Sequence, residues 1–326
     1  VETRTESLKS IAELRGIDYR LLYHTYRRVS GYEQWSARHH AHEYLVFSEN
    51  IGTKLSLDEV SVSQGELYTV LSNKGARGRK GTLVAMVGST KTDEIVKQFS
   101  RIPLVQREQV QEVTLDLAEN MAAAVKELFP NAKIVADRFH VEQLGHEIVQ
   151  GLRVKLRWKV INEENKAYKK AKRDGLPYRP EEFYNGDTAR QLLARSRYAL
   201  YKSPVKWTNN QRLRMNILFE QYPQLRQAYD HVREFNAIYS KPLTRNEALR
   251  QFSEWMTRSR KHKTPGFKRM ANTIEKHFEH ILNYFENRST NASAESFNAK
   301  IKGFRAMQRG VSDTNFFLFR LSKIYA

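Results

Sequence analysis

The chain has 326 residues, 40% of them hydrophobic, enough for one large domain or for two or three small ones with a sizeable core. Lys and Arg number 55 against 36 Asp and Glu, a formal charge of +19, and a field of that sign attracts polyanions, nucleic acid first and an anionic membrane surface second. No cysteine is present, no run of 18 apolar residues occurs and no signal-peptide pattern opens the chain, which excludes disulfides, thiolate metal sites and a helical membrane span and suits a reducing cytoplasm.

The first residue is Val1 rather than Met, as expected of a processed, trimmed or incomplete start. Residues 5–30 read as two short helices. Leu8, Ile11, Ala12 and Leu14 lie at helical spacing, Gly16 breaks, and Asp18 can cap a second helix carrying Leu22, Tyr26 and Val29. Ala12, Gly16 and Leu22 match the small, turn and hydrophobic positions of a helix-turn-helix, a pattern that an ordinary helical hairpin also shows. His39, His40 and His42 lack a spaced ligand partner and read as a basic linker rather than a metal site. Five β-rich runs follow, at 55–57, 67–71, 82–87, 110–115 and 134–136, with a basic, glycine-containing turn at 74–81 between the second and third. Helices are predicted over 92–99 and 120–128, the latter stopped by Pro130. Strand–helix alternation after a three-strand meander predicts an α/β fold, a mixed five-stranded sheet with helices on its faces. From Arg138 to about Asn287 the pattern is almost wholly helical: Leu144, Ile148, Leu152 and Leu156 share one face, and Thr244 with Glu247 forms a capping box.

Three acids stand out by position. Asp58 ends the first strand, Asp116 ends the fourth, and Glu295 lies at a helix start. First and fourth strands are neighbours in a sheet of this order, so two carboxylates would lie side by side. Such a pair repels unless cations intervene. Mg²⁺ takes oxygen ligands and keeps open positions, and two ions about 3.5–4 Å apart can stabilise both oxygens of an in-line displacement at phosphorus. An Asp at a strand end is also an ordinary turn residue. Glu59 is expected to point to the other side of the sheet. Beyond Glu295 the helix presents Asn298 at i+3 and Lys302 at i+7, suited to steadying a ligand or holding phosphate, or simply solvated.

The segments LSLDEVSVSQGELYTVLSNK, VTLDLAENM, FPNAKIVADRFHVEQL and STNASAESFNAKIKGFRAMQRGVSDTNFFLFRL, in that order, resemble the DDE transposases of bacterial insertion sequences, in the ISL3 branch and its split-frame variants. The resemblance implies a ribonuclease-H-like fold interrupted by a large all-helical insertion. Its expected parts are an N-terminal helix-turn-helix-like segment and linker (1–50), a first part of the catalytic core (51–140), the insertion (141–287) and the last core helices (288–326). By resemblance Asp58, Asp116 and Glu295 are the metal-binding triad for two Mg²⁺ ions, with Mn²⁺ able to substitute. Asp137, ending the fifth strand, is the main competitor for the second acid; with His140 it matches an Asp-x-x-His pair found near the active site of relatives and reads as buttressing the site, while a helix-start histidine bonded to Asp137 reads equally well. Many members open with a cysteine zinc module. This chain has no cysteine, and in split-frame relatives that function resides in a separate product.

Residues 153–173 carry nine Lys or Arg and two Glu. Arg153, Lys155, Arg157, Trp158 and Lys159 there, with Arg258, Arg260, Lys261, Lys263, Lys268 and Arg269 around Pro265, are the candidate DNA contacts. Aromatics among charges can stack on an unpaired base, although Trp255 reads as core. The expected protein is a cytoplasmic, nucleoid-associated transposase, dimeric or larger on double-stranded element ends and target DNA. A nuclease that does not join ends, and a silent DNA-binding regulator or domesticated relic, are the alternatives.

Overall fold

The computed structural model describes all residues except 3, 39–42, 64–65, 309–310 and 312, so the histidine cluster at 39–42 lies outside the described residues. The chain divides into two compact units, Val1–Arg138 with Glu279–Ala326, and Phe139–Phe278.

The first unit opens with helices α1 (Leu8–Arg15), α2 (Tyr19–Val29) and α3 (Tyr32–Arg38). Gly16 ends α1 in the left-handed conformation, φ 63°, and Asp18 Oδ1 accepts the Leu21 N–H at 2.9 Å, so the break and cap fall where the residue types put them. The sheet follows: β1 (Tyr44–Val46), β2 (Lys54–Ser63), β3 (Glu66–Asn73), β4 (Leu83–Val87), then α4 (Thr92–Phe99), α5 (Leu104–Arg107), β5 (Glu112–Leu115), α6 (Glu119–Leu128) and β6 (Lys133–Ala136). Its order is β1-β4-β3-β2-β5-β6, antiparallel from β1 to β2 and parallel from β2 to β6. The sheet is mixed as expected but has six strands rather than five. The extra edge strand β1 is three residues long, too short for alternation to register in sequence. β2 also runs on past Leu57 to Ser63, because β3 pairs with it from Leu55 to Ser63.

After β6 come α7 (Arg138–Arg173), α8 (Ala189–Arg195), α9 (Asn209–Gln221), α10 (Pro223–Ser240), α11 (Arg245–Arg260), α12 (Gly266–Lys276), α13 (Phe278–Asn287), α14 (Ala292–Met307) and α15 (Thr314–Tyr325). Strand alternation sends Leu55, Leu57, Val113 and Leu115 to one face, against Ile95, Phe99, Met121 and Val125 of α4 and α6. Val60, Val62 and Val70 point the other way, onto Phe297, Ile301 and Phe304 of α14 and Leu318 and Leu321 of α15. Leu8, Tyr26 and Tyr32 close the N-terminal helices onto Phe316 and Phe319 of α15. Each fully buried aromatic here contributes roughly 1.5–3 kcal/mol relative to exposure.

The helical unit has its own core, with Trp255, Phe235, Tyr239, Phe252 and Phe267 buried. Thr188, Thr208 and Thr244 cap α8, α9 and α11, each in a reciprocal capping box. The buried stripe of α7 is Val141, Gly145, Val149 and Arg153, one step round from the leucine stripe read in sequence. A Cβ on Gly145 would stand 3.0 Å from Val232, so close packing selects that stripe.

Candidate active site

Parallel pairing of β2 with β5 matches Lys54 to Glu112, Leu55 to Val113 and Ser56 to Thr114. The pairing ends there, and Asp58 and Asp116 each follow two residues further along their own segments. Asp58 has the parity of Ser56, opposite to the Leu55 and Leu57 face, and so belongs to the side covered by α14. Strands in one sheet lie about 4.8 Å apart. Asp116 is one residue past the end of β5, where its Oδ1 accepts the Ala118 N–H at 2.8 Å and so starts the turn into α6. Asp58 Oδ1 accepts the Glu59 N–H at 2.8 Å, and its Oδ2 accepts from Asn298 Nδ2 at 2.8 Å. Asn298 is 7% exposed, which makes it the tie between the Asp58 side of the sheet and the helix that carries Glu295.

α14 is anchored to the sheet along its length. The Ser56 hydroxyl donates to Asn291 Oδ1 at the helix start, Asn298 reaches Asp58, and Arg305 reaches Ser61 O at 3.4 Å. A second tie holds the segment before the helix. Lys74 Nζ donates to Glu112 Oε1 at 3.1 Å, to Thr114 Oγ1 at 2.7 Å and to Ser289 Oγ at 2.5 Å, while the Ser289 hydroxyl donates to Glu112. Burial pushes the Lys74 ammonium down against the pull of Glu112. Burial also works against the Glu112 carboxylate, but the Ser289 hydrogen bond and the Lys74 charge outweigh it and hold that group below the usual carboxylate range. Glu112 and Thr114 share one face of β5, two and one alternations before Asp116 in the chain.

Glu295 occupies the first turn of α14 and is exposed. Among the described residues no three acids or histidines stand close enough to hold a metal ion. The fold thus sets Asp58 and Asp116 on neighbouring segments of the sheet and Glu295 on the helix tied to Asp58, without gathering all three into a metal-holding group. As donors, carboxylates from adjacent strands fit a hard divalent cation. Glu59, set aside in sequence, feels the pair: burial first, then the charges of Asp116 and Asp58, push its carboxyl above the usual range. Asp137 follows β6, one strand farther from β2. It is 2% exposed, its N–H donates to Leu115 O at 2.8 Å, and its charge is felt by Lys74. His140 lies in the first turn of α7, in the helical unit. Lys302 is exposed, and the lysine of α14 that engages a neighbouring element is Lys300, which donates to Gly78 O at 2.7 Å.

In the helical unit the two basic clusters meet. Lys155 of α7 and Arg269 of α12 line one groove of about 420 Å³, floored by Leu144, Ile148 and Leu152. Lys155, Trp158, Lys159, Arg258, Arg260, Lys261, Lys263, Lys268 and Arg269 are exposed and Arg157 is half-buried. Arg258 pairs with Glu234 at 3.1 Å and Arg260 with Glu275 at 2.8 Å. Arg153 does not share that exposure: 7% exposed, it donates to Leu193 O at 2.9 Å and braces the interior. Trp255 is buried, as its place in the pattern suggested, and donates to His231 O.

The fold and site define an α/β protein with one aspartate on a central strand and another just past the parallel strand beside it. The particular family follows from comparison: the ISL3-type DDE family, described as "Transposase", matches residues 55–321, and the chain belongs to it. Membership makes it a transposase, a protein of DNA recombination that moves an insertion sequence; the family cleaves and transfers DNA and typically uses divalent metals. No curated protein and no solved structure matches the chain. No helix among the described residues is long and apolar enough to cross a membrane.

Proposed function

We propose that this chain binds the terminal inverted repeats of its own element, cuts the DNA at the ends and joins the 3′ hydroxyls to target DNA, with Asp58, Asp116 and Glu295 as the metal-binding triad. The observation that carries the reading is the parallel pairing of β2 with β5, the strands that carry or lead to Asp58 and Asp116, with Asp58 tied to α14 by Asn298. The sheet order, with β2 central between β3 and β5, supports a ribonuclease-H-like core, and the helical unit between β6 and α14 supports an insertion into it. When bound, two Mg²⁺ ions would supply charge stabilisation at the attacking and leaving oxygens. Asn298 orients Asp58, the turn into α6 orients Asp116, and the Lys74–Glu112–Ser289 network holds the segment leading to Glu295. Exposed cations of the helical unit supply phosphate contacts, and the two element ends call for at least a dimer.

Asp58→Asn, Asp116→Asn and Glu295→Gln should each abolish strand transfer of a labelled duplex bearing the terminal sequence that flanks the gene. Each should leave DNA binding within about twofold, and double variants should be no worse than singles, as for residues acting as a unit. Asp137→Asn should reduce activity without eliminating it. An active Asp116→Asn beside an inactive Asp137→Asn would reassign the second acid. The exposure of Glu295 favours one rival, a silent DNA-binding regulator. An unmutated protein that binds these ends yet never cleaves them, with any partner product supplied, would establish that rival.

A further inference from the structure

We propose that the loop joining β3 to β4, residues 74–81, is a phosphate-binding surface that seats the backbone of double-stranded DNA on the catalytic unit. This rests on the transposase reading above and adds a contact surface outside the basic clusters of the helical unit. The loop reads KGARGRKG, four cations in eight residues without an acid.

Its shape is fixed from several sides. Asn73 Oδ1 accepts the Gly75 N–H at 2.9 Å, and Arg79 O accepts both the Thr82 N–H at 3.1 Å and its hydroxyl at 2.6 Å. Lys74 turns inward to the Glu112 network. Gly78 O accepts from Lys300 of α14, and Gly78, at φ +72°, has no Cβ where one would stand 2.8 Å from Lys300 Nζ. Arg77 is also left-handed, at φ 53°, a conformation that glycine adopts without strain and arginine does not.

A loop this firmly held presents Arg77, Arg79 and Lys80 to solvent, and none of the three is in an ion pair with a described residue. Lys54 and Lys300 add exposed cations on the elements beside it. A merely solvated charged turn has no need of rigid support. Cations held in place lose little freedom on binding, and spaced along a loop they match a run of phosphates rather than one small anion. Through Lys300 the loop is braced by the helix whose Asn298 holds Asp58, so DNA seated on it lies on the unit that contains the acidic pair.

The test is a binding titration of mixed-sequence labelled duplex DNA over a salt series, comparing the unmutated chain, Arg77→Gln/Arg79→Gln/Lys80→Gln, and the charge-preserving Arg77→Lys/Arg79→Lys. Each lost phosphate contact lowers the log–log salt slope by about 0.9. The neutralised variant should lose about two to three units of slope, and the charge-preserving variant should stay near the parent. A neutralised variant with the parent's slope overturns the proposal while leaving the transposase reading intact. An unmutated chain that binds no duplex sinks that reading instead, and the proposal with it. Should the triple variant fail to fold, a photo-crosslinker in place of Arg79 in the otherwise unaltered chain decides: adducts to the duplex support the surface and their absence overturns it.

Discussion

Asn298 donates to Asp58 from a nearly buried position on the helix that carries Glu295, so the direction of one acid depends on the placement of another. Partners that orient metal-binding carboxylates typically change activity by about 10–100-fold when removed. Asn298→Ala should lower the strand-transfer rate by about that factor with DNA affinity unchanged. A rate equal to the parent's would remove Asn298 from the site. That the strands of LSLD and VTLD are neighbours was legible in sequence, because the order of strands and helices makes the first and fourth adjacent. The field on Glu59 was not: alternation assigns its side chain to the other face but says nothing of how far a carboxylate at the strand surface feels its neighbours. Nor could spacing have found the Lys74–Glu112–Ser289 network, whose members are 38 and 177 residues apart in pairwise contact.

α14 covers the sheet with Phe297, Ile301 and Phe304, at i, i+4 and i+7, and all three are fully buried. Phe297→Ala should destabilise the first unit by about 3–5 kcal/mol through lost burial and the cavity left behind. Trp158→Ala, on an exposed stretch of α7, should stay within about 0.5 kcal/mol. Chemical denaturation of both variants checks the contrast. Elements with strong periodicity or caps were readable: the break at Gly16, the cap at Asp18 and the box at Thr244 are written in residue type. The edge strand β1 and the seven-residue α3 were not, being too short to carry a period. On α7 the leucines advertised one face, but the packed face is set by a glycine that admits Val232, a requirement imposed by the partner helix.

Over the whole molecule, pH acts on the interior of the helical unit. Burial first, then the charges of His262 and Arg258, push His231 down to about 4. It stacks on Trp255 with ring centroids 4.6 Å apart and shares a 2.7 Å hydrogen bond with Ser259 Oγ. Unfolded, the group titrates near its ordinary value of 6.5, so the unfolded state binds the extra proton first. Stability from a neutral His231 is therefore fully present above about 6.5 and is lost as pH falls toward about 4, by on the order of 2–3 kcal/mol. Thermal melts at pH 7 and pH 5 should show a clear drop that His231→Gln lessens; an equal drop in the variant would place the sensitivity elsewhere.

The first unit is assembled from both ends of the chain, Val1–Arg138 and Glu279–Ala326. On the ribosome, β2 to β6 emerge well before the helices that cover one of their faces, and Val60, Val62 and Val70 wait for Phe297, Ile301 and Leu318. Contacts of such separation close late and leave apolar surface open in the meantime. A nascent chain that has emerged only through β6 therefore carries Asp58 and Asp116 without Glu295 or the helical cover of that face of the sheet. A product that stops upstream of α14 should therefore be prone to aggregate through that uncovered apolar face, a liability set by chain order alone.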